Sequence, residues 1–309
     1  MRNLKIHKYG LIVSFLISLY SFNNIYATSY YVSSSEGKDK FSGTTIGKPF
    51  KTLARLNEVY LEPGDSVFLK RGDLFRGSLL INSSGKRAER IVFNAYGEGA
   101  EPVLSGAEEI KGWEKRSDTL VQALIQEHVL GVFINDRMIP AARYPKTGWL
   151  YFEGGGRNFM EDTFVKHHQS LYENATIRMR TKNWCYEYKK ISEVKNARAY
   201  FKDSLWNNEQ VSYTCDPGWG YYLENKESFI RHENDWVYNE DSGLLILKPA
   251  KNTYTEACTQ NKGIIVSENS SYITIAGIRF EKYYESGIFI DRKASNIIID
   301  DCSFRNIVL

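Results

Sequence analysis

Several side chains in the 309-residue sequence are of types that bind or transform ligands. Trp219, Tyr221 and Tyr222 lie almost side by side, and aromatic faces pack on the apolar C–H face of a sugar ring as readily as they fill a β-rich core. Arg143, followed by Tyr144 and Pro145, has the planar fork that grips a carboxylate, either on a carboxylated sugar or on an acidic side chain that locks the fold. His167 and His168 are potential metal ligands. Adjacent residues on a strand or helix point apart, however, and no third ligand is suitably spaced, so no metal is expected. The four cysteines, Cys185, Cys215, Cys258 and Cys302, contain no C-x-x-C pair, which disfavours zinc. Cys185 with Cys215 is the disulfide of least strain, and Cys302 reads as a small buried hydrophobe.

These groups need a scaffold, and the clearest scaffold signal is a pattern written twice. Residues 271–280 (SYITIAGIRF) align with residues 295–304 (SNIIIDDCSF) at 295 − 271 = 24, and 263–266 (GIIV) falls on 287–290 (GIFI) at the same spacing. Short β-branched runs at a fixed period predict stacked coils, as in a parallel β-helix. Alternation places Ile273, Ile275, Ile278 and Phe280 inward, with Ile297, Ile299, Cys302 and Phe304 one coil later. Tyr272, Thr274, Arg279, Asn296, Ile298, Asp300, Ser303 and Arg305 then face outward. The period extends to the early chain, where 67–69 maps onto 91–93 and 79–80 onto 103–104, each 24 residues on. Apolar spacing from Phe50 to Tyr60, with Thr52 as N-cap, predicts a short amphipathic helix covering the open end of the stack.

A period shared by two distant blocks implies one solenoid interrupted by an insertion. The expected organisation is a signal peptide (1–27), an N-terminal cap and first coils (28–105), a β-rich subdomain (106–262) and further coils (263–309). Within the insertion, 129–134 and 137–142 form one hairpin through Asn135-Asp136, and 235–238 and 244–248 form another through a loop of Asn, Asp and Gly. Residues 175–180 make a further strand, 162–172 hold a short helix, and the whole is expected to be a small sandwich or barrel.

Composition is that of an ordinary globular chain, 42% hydrophobic and 25% charged. A net charge of +3 without a Lys/Arg block gives no support for nucleic-acid binding. Aromatic content is 14%, with 21 Tyr and 6 Trp, which suits either sugar-binding grooves or β-rich cores. At the N-terminus, Arg2, Lys5 and Lys8 precede an uncharged apolar stretch over 11–22. That is a signal-peptide pattern, with cleavage between Ala27 and Thr28. It predicts export to the periplasm, cell surface or medium, with no membrane attachment after removal of the signal.

The scaffold motifs together resemble a known group. Residues 30–33 (YYVS), 47–53 (GKPFKTL) and 63–65 (PGD) are similar to the opening of secreted right-handed parallel β-helix proteins. Residues 142–145 (ARYP), 218–225 (GWGYYLEN), 235–238 (DWVY) and 243–247 (GLLIL) resemble segments of β-helix glycoside hydrolases of the fucosidase/xylanase type. The resemblance implies a polysaccharide or oligosaccharide partner, no cofactor, a monomer at full length, and two carboxylates on neighbouring coils. The local candidates for those carboxylates are Asp291 and Asp300, with Arg143, Trp219 and Tyr221 as candidate substrate contacts. Only about two coils follow the insertion and the pattern stops in mid-coil, so the chain is expected to be the N-terminal part of a longer protein or the product of a truncated gene, lacking the catalytic coils and inactive by itself. A polysaccharide lyase using Ca²⁺ on the same scaffold, or a non-catalytic glycan-binding or adhesion solenoid, are the alternatives.

Overall fold

β-branched runs punctuated by Gly and Asn favour short strands over helices, and the computed structural model, which describes residues 27–207 and 213–308, is all-β with helical segments of three to five residues. The signal-peptide expectation lies outside the described residues apart from its cleavage point. There, the Thr28 amide donates to Asp65 Oδ1 at 2.7 Å and its carbonyl accepts from Ser66 at 2.9 Å, so the proposed cut abuts the first parallel strand.

Three sheets are built from parallel pairs. One runs in the order Ser29–Val32, Ser66–Lys70, Ile91–Tyr96, Ser271–Ala276, Ser295–Asp300. A second joins Leu79–Ile81, Lys262–Val266 and Ser286–Ile290. The third joins Leu74–Arg76, Val103–Ser105, Arg279–Glu281 and Ser303–Arg305. Their apolar faces share one core, in which Val67, Phe93, Ile273, Ile275, Ile278 and Phe280 are fully buried or nearly so.

The late register is 24 in all three sheets: Ser271 pairs with Ser295, Ile264 with Ile288 and Arg279 with Ser303. The corners repeat with it. Tyr272 and Asn296, Gly277 and Asp301, and Lys282 and Asn306 are each 24 apart, and all six have left-handed backbones with φ between 45° and 65°. The late repeat therefore turns at equivalent left-handed positions, which Asn and Gly tolerate best.

Some sequence expectations need correction. Val67 pairs with Phe93, not Ile91, and Leu79 pairs with Ile264, whereas Val103 pairs with Leu74. A slip of two residues keeps every side chain on its own face, so the burial pattern cannot distinguish the two registers. Ile299 and Phe304 were expected inside but are 44% and 51% exposed. Their strands are sheet edges with a partner on one side only, although Phe304 still stacks on Phe280 at 5.3 Å. The helix is confined to Leu53–Leu56. Thr52 caps it by accepting from the Arg55 amide at 3.1 Å, but Asn57 ends it, its amide bridging Ser78 O and the Leu80 amide on the edge strand. All four cysteines are free, so the expected Cys185–Cys215 bond is not formed: Cys215 is buried with its sulfur 3.8 Å from Met179 Sδ.

The excursion leaves and returns between neighbouring strands. Ile91–Tyr96 pairs directly with Ser271–Ala276, and the departing Ala107–Glu109 pairs antiparallel with the returning Thr255–Cys258. Both expected hairpins are present, Gly131–Ile134 with Arg137–Ile139 and Trp236–Asn239 with Leu244–Leu247. Asn135 and Asp136 supply the two positive φ values that a tight two-residue hairpin requires. Helices Thr163–His167 and Gln169–Tyr172 occupy the stretch expected to be helical. The excursion has its own cores, one beneath an eight-stranded sheet and one around Trp236, Leu245 and Leu247.

An ionic network centred on the buried Lys282 and Glu256 joins the excursion to the parallel sheets. The Lys282 ammonium, on a residue 3% exposed, donates to Glu256 and, at 2.6 Å, to Asp136 Oδ1. Arg76 Nη2 donates to the other Glu256 oxygen at 2.9 Å. Burial acts to lower the Lys282 pKa, but the bonds to Asp136 and Glu256 prevail and raise it. The Lys282 hydrogen bond holds Asp136 below the usual carboxylate range. The raised lysine stabilises the fold below its unfolded pKa of ~10.4 and loses that contribution as pH rises through the folded value. The lowered aspartate contributes above ~3.9 and is lost as pH falls. Lys282→Met leaves Glu256 buried with one cation fewer and should cost about 3–5 kcal/mol in urea unfolding near pH 7. The difference from wild type should shrink at both pH extremes, and a flat difference would show that the network is not ionic in the folded state.

Candidate functional site

Strands Thr176–Lys182, Cys185–Lys195 and Gly220–Glu224 are antiparallel neighbours in the eight-stranded sheet. Period-two alternation turns Ile177, Met179, Tyr221 and Leu223 into the core. The opposite face then collects Arg178, Arg180, Tyr186, Tyr188 and Tyr222. Register sets them beside one another: Arg178 lies across from both Tyr188 and Tyr222, and Arg180 across from Tyr186.

Guanidinium groups and rings interleave on this face. The Arg143 guanidinium sits 3.6 Å from the Tyr222 ring centroid and 5.6 Å from that of Trp149. Arg180 is 4.7 Å from Trp219 and 6.0 Å from Tyr186, and Arg178 is 5.4 Å from Tyr188. Trp149 bridges the rings, 5.2 Å from Tyr222 and 6.0 Å from Tyr186. It rests on Gly220, where a Cβ would stand only 3.2 Å from the indole. The missing side chain lets the indole lie against the strand.

The charges are anchored in different ways. Arg178 donates Nε and Nη2 to Glu224 Oε1 at 3.0 and 2.9 Å, and this pair raises its pKa although burial opposes it. Arg143 is held by the carbonyls of Pro145 and Gly148, with burial pulling its pKa down. Arg180 is held by the carbonyls of Lys182 and Asn183. Among the described residues neither Arg143 nor Arg180 has a carboxylate partner within ion-pair distance. A groove of about 990 Å³ opens against Arg178, Tyr188, Tyr222 and Glu224, walled by Met138, Trp236 and Tyr284. Such a site can sandwich a ring between aromatic faces and offer donors to its polar edge. No cluster of three or more His, Cys, Asp and Glu among the described residues could hold a metal ion.

The residues expected from the sequence are scattered. Tyr221 is fully buried, stacks on Phe152 at 4.8 Å, donates its hydroxyl to Asp162 and shares a 2.7 Å hydrogen bond with Tyr172, so it is core and not a ligand contact. Trp219 is half-buried against the same core, beneath Arg180. Arg143 lies on the aromatic face, though it grips no carboxylate. Asp291 lies in the turn after Ser286–Ile290, where Oδ1 accepts from the Arg292 amide at 2.6 Å. Asp300 is exposed at the end of an edge strand. His168 stacks on Phe164 at 3.8 Å, and both histidines are exposed. Sequence reasoning missed Trp149, Arg178, Arg180, Tyr186 and Tyr188. The alternation in 176–182 and 220–224 was the available signal, because it assigns opposite faces to Tyr221 and Tyr222.

Gly220→Ala tests the seating of Trp149. The added methyl should displace the indole, change the near-UV circular dichroism and tryptophan emission, and cost about 1–3 kcal/mol by overpacking; unchanged spectra would mean that Trp149 does not rest on the strand.

No family model matches the chain. An alignment over 96 residues, covering 28% of this chain and 6% of the relative, shows 38% identity with the lacto-N-biosidase of Bifidobacterium longum subsp. longum. A solved structure described as a glycoside hydrolase aligns with 83% of this chain and 51% of its own at a TM-score of 0.58 and 16% identity. A complex of XylC with xylose aligns with 83% of this chain and 35% of its own at a TM-score of 0.45 and 13% identity. The likeness to the first of these structures is one of fold, over about half of that chain's length.

Proposed function

We propose that this chain is part of an exported glycoside hydrolase whose three parallel sheets are the faces of a right-handed parallel β-helix. The 24-residue register and the repeated left-handed corners support the coil reading, and parallel crossovers are overwhelmingly right-handed. In this reading residues 28–105 and 263–309 are coils, and 106–262 form a subdomain inserted between them. The observation that carries the activity is the alignment over 96 residues with lacto-N-biosidase at 38% identity.

The chemistry follows from the stack. Adjacent coils are about 4.8 Å apart, so acids at equivalent positions of successive coils can approach the ~5 Å separation of a nucleophile and an acid/base in a retaining mechanism. Ile298, Ile299 and Phe304 leave the edge of the last strands apolar and exposed, and in this reading Asp291 and Asp300 are the local candidates for the catalytic pair. A non-catalytic glycan-binding role is the second reading, favoured by the aromatic face of the excursion.

The test is to incubate the secreted full-length protein with a panel of neutral and acidic oligosaccharides and separate the products chromatographically. Release of a mono- or disaccharide is the expected result. A folded protein that binds glycans but releases nothing across the panel would leave the binding role and remove the hydrolase. Asp291→Asn and Asp300→Asn should each leave folding intact, and if either is one of the pair its rate should fall at least ~100-fold.

A further inference from the structure

The outer face of the eight-stranded sheet carries more positive charge than its protein partners neutralise. Arg178 is matched by Glu224, but Arg143 and Arg180 are oriented by neutral backbone carbonyls. A carbonyl fixes a guanidinium in place without cancelling its charge, and a ring stacked against it further limits its motion. The two cations are thus preorganised beside rings open to solvent: Trp149 is 38% exposed, Tyr186 54% and Tyr188 59%. Preorganised donors lose little entropy when a ligand arrives.

We infer that this face binds an anionic saccharide, with Trp149, Tyr186 and Tyr188 packing on sugar rings and Arg143 and Arg180 receiving its carboxylate or sulfate groups. The choice of a saccharide rests on the carbohydrate-active reading above; the choice of an anion rests on two guanidinium groups, Arg143 and Arg180, that have no carboxylate within ion-pair distance among the described residues, although Glu224 lies across the strand pair from Arg143. The site is on the excursion and not on the parallel sheets, so it positions a polymer without taking part in bond cleavage. A single-stranded nucleic acid would also suit rings beside arginines, but a net charge of +3 over 309 residues gives it little long-range attraction.

Calorimetric titration of the whole protein separates these ligands. The probes are oligogalacturonate for carboxylate, dextran sulfate for sulfate, unmodified dextran as the neutral chain, and oligothymidylate. Oligogalacturonate, dextran sulfate or both should bind, more weakly as salt is added, and the tighter of the two identifies the preferred anion. Tyr186→Ala should weaken that binding about fivefold and Arg180→Gln about tenfold, whereas Tyr60→Ala, an exposed ring elsewhere on the chain, should leave it unchanged. Equal binding of dextran, tighter binding of oligothymidylate, indifference to salt, or full affinity in both variants would each overturn the inference. So would a Trp149-dependent shift to a dimer without saccharide binding. Hydrolysis of a neutral glycan together with no anionic binding would sink this inference alone and leave the hydrolase reading standing.

Discussion

The structure depends on one constraint: a chain that leaves a parallel stack for some 150 residues must return in register. An error of one residue on return would turn every inward side chain of the later strands outward. The junction meets this by pairing departure with return. Ala107–Glu109 and Thr255–Cys258 are hydrogen-bonded neighbours, and the carbonyl of Gly106 accepts from both Thr259 and Gln260. Gly106 has no alternative, since a Cβ there would stand 2.6 Å from the Tyr283 ring. Around this seam, Arg76 from the early strands, Glu256 from the returning strand, Asp136 from the hairpin and Lys282 after the later strand Arg279–Glu281 converge. Burying such charges is expensive, and a hydrophobic replacement of similar shape could be equally stable. Each bond joins two of the four segments, and the full set is made only in the observed arrangement.

Much of this was legible in the sequence where local chemistry repeats. The 24-residue spacing of 271–280 and 295–304 gave the later pairings residue for residue, and Asn135-Asp136 gave a hairpin because few other pairs accept two positive φ values. The early strands were harder. Val67 matches Ile91 and Phe93 equally well in hydrophobicity and on the same face, so the pattern leaves open the pairing with Phe93 that the strands adopt. Leu79 has its neighbour on the far side of the excursion, which no local comparison reveals. The cysteine pairing failed for a similar reason: proximity in sequence placed Cys185 and Cys215 in one segment, whereas packing directs Cys215 toward Met179.

The candidate site was legible only in part, because its two ingredients leave different traces. Parity distinguishes Tyr221 from Tyr222, and could have separated core from surface once the strand was recognised. The electrostatic character could not be read that way. Arg178 and Arg180 are both outward and two residues apart, yet one meets Glu224 across the sheet while the other turns back to the carbonyls of Lys182 and Asn183. Which arginine is neutralised depends on the turn at 182–184 and on the neighbouring strand, and neither is encoded in the arginines themselves.

Fold and site meet at three consecutive residues. Lys282 has a left-handed backbone and locks the junction, the Tyr283 hydroxyl crosses the core to donate to Gly77 O at 2.7 Å, and Tyr284 lines the groove beside Arg178 and Tyr222. The corner at Lys282 directs these side chains along different paths, so a shift in the strand register would move the groove wall with it. Because the other wall belongs to the excursion's sheet, the groove takes its shape only when the returning strand is seated. The ionic contacts of Lys282 lie two residues from Tyr284 on the groove wall, and a ligand spanning Tyr284 and Tyr222 would favour the seated junction by the free energy with which it binds.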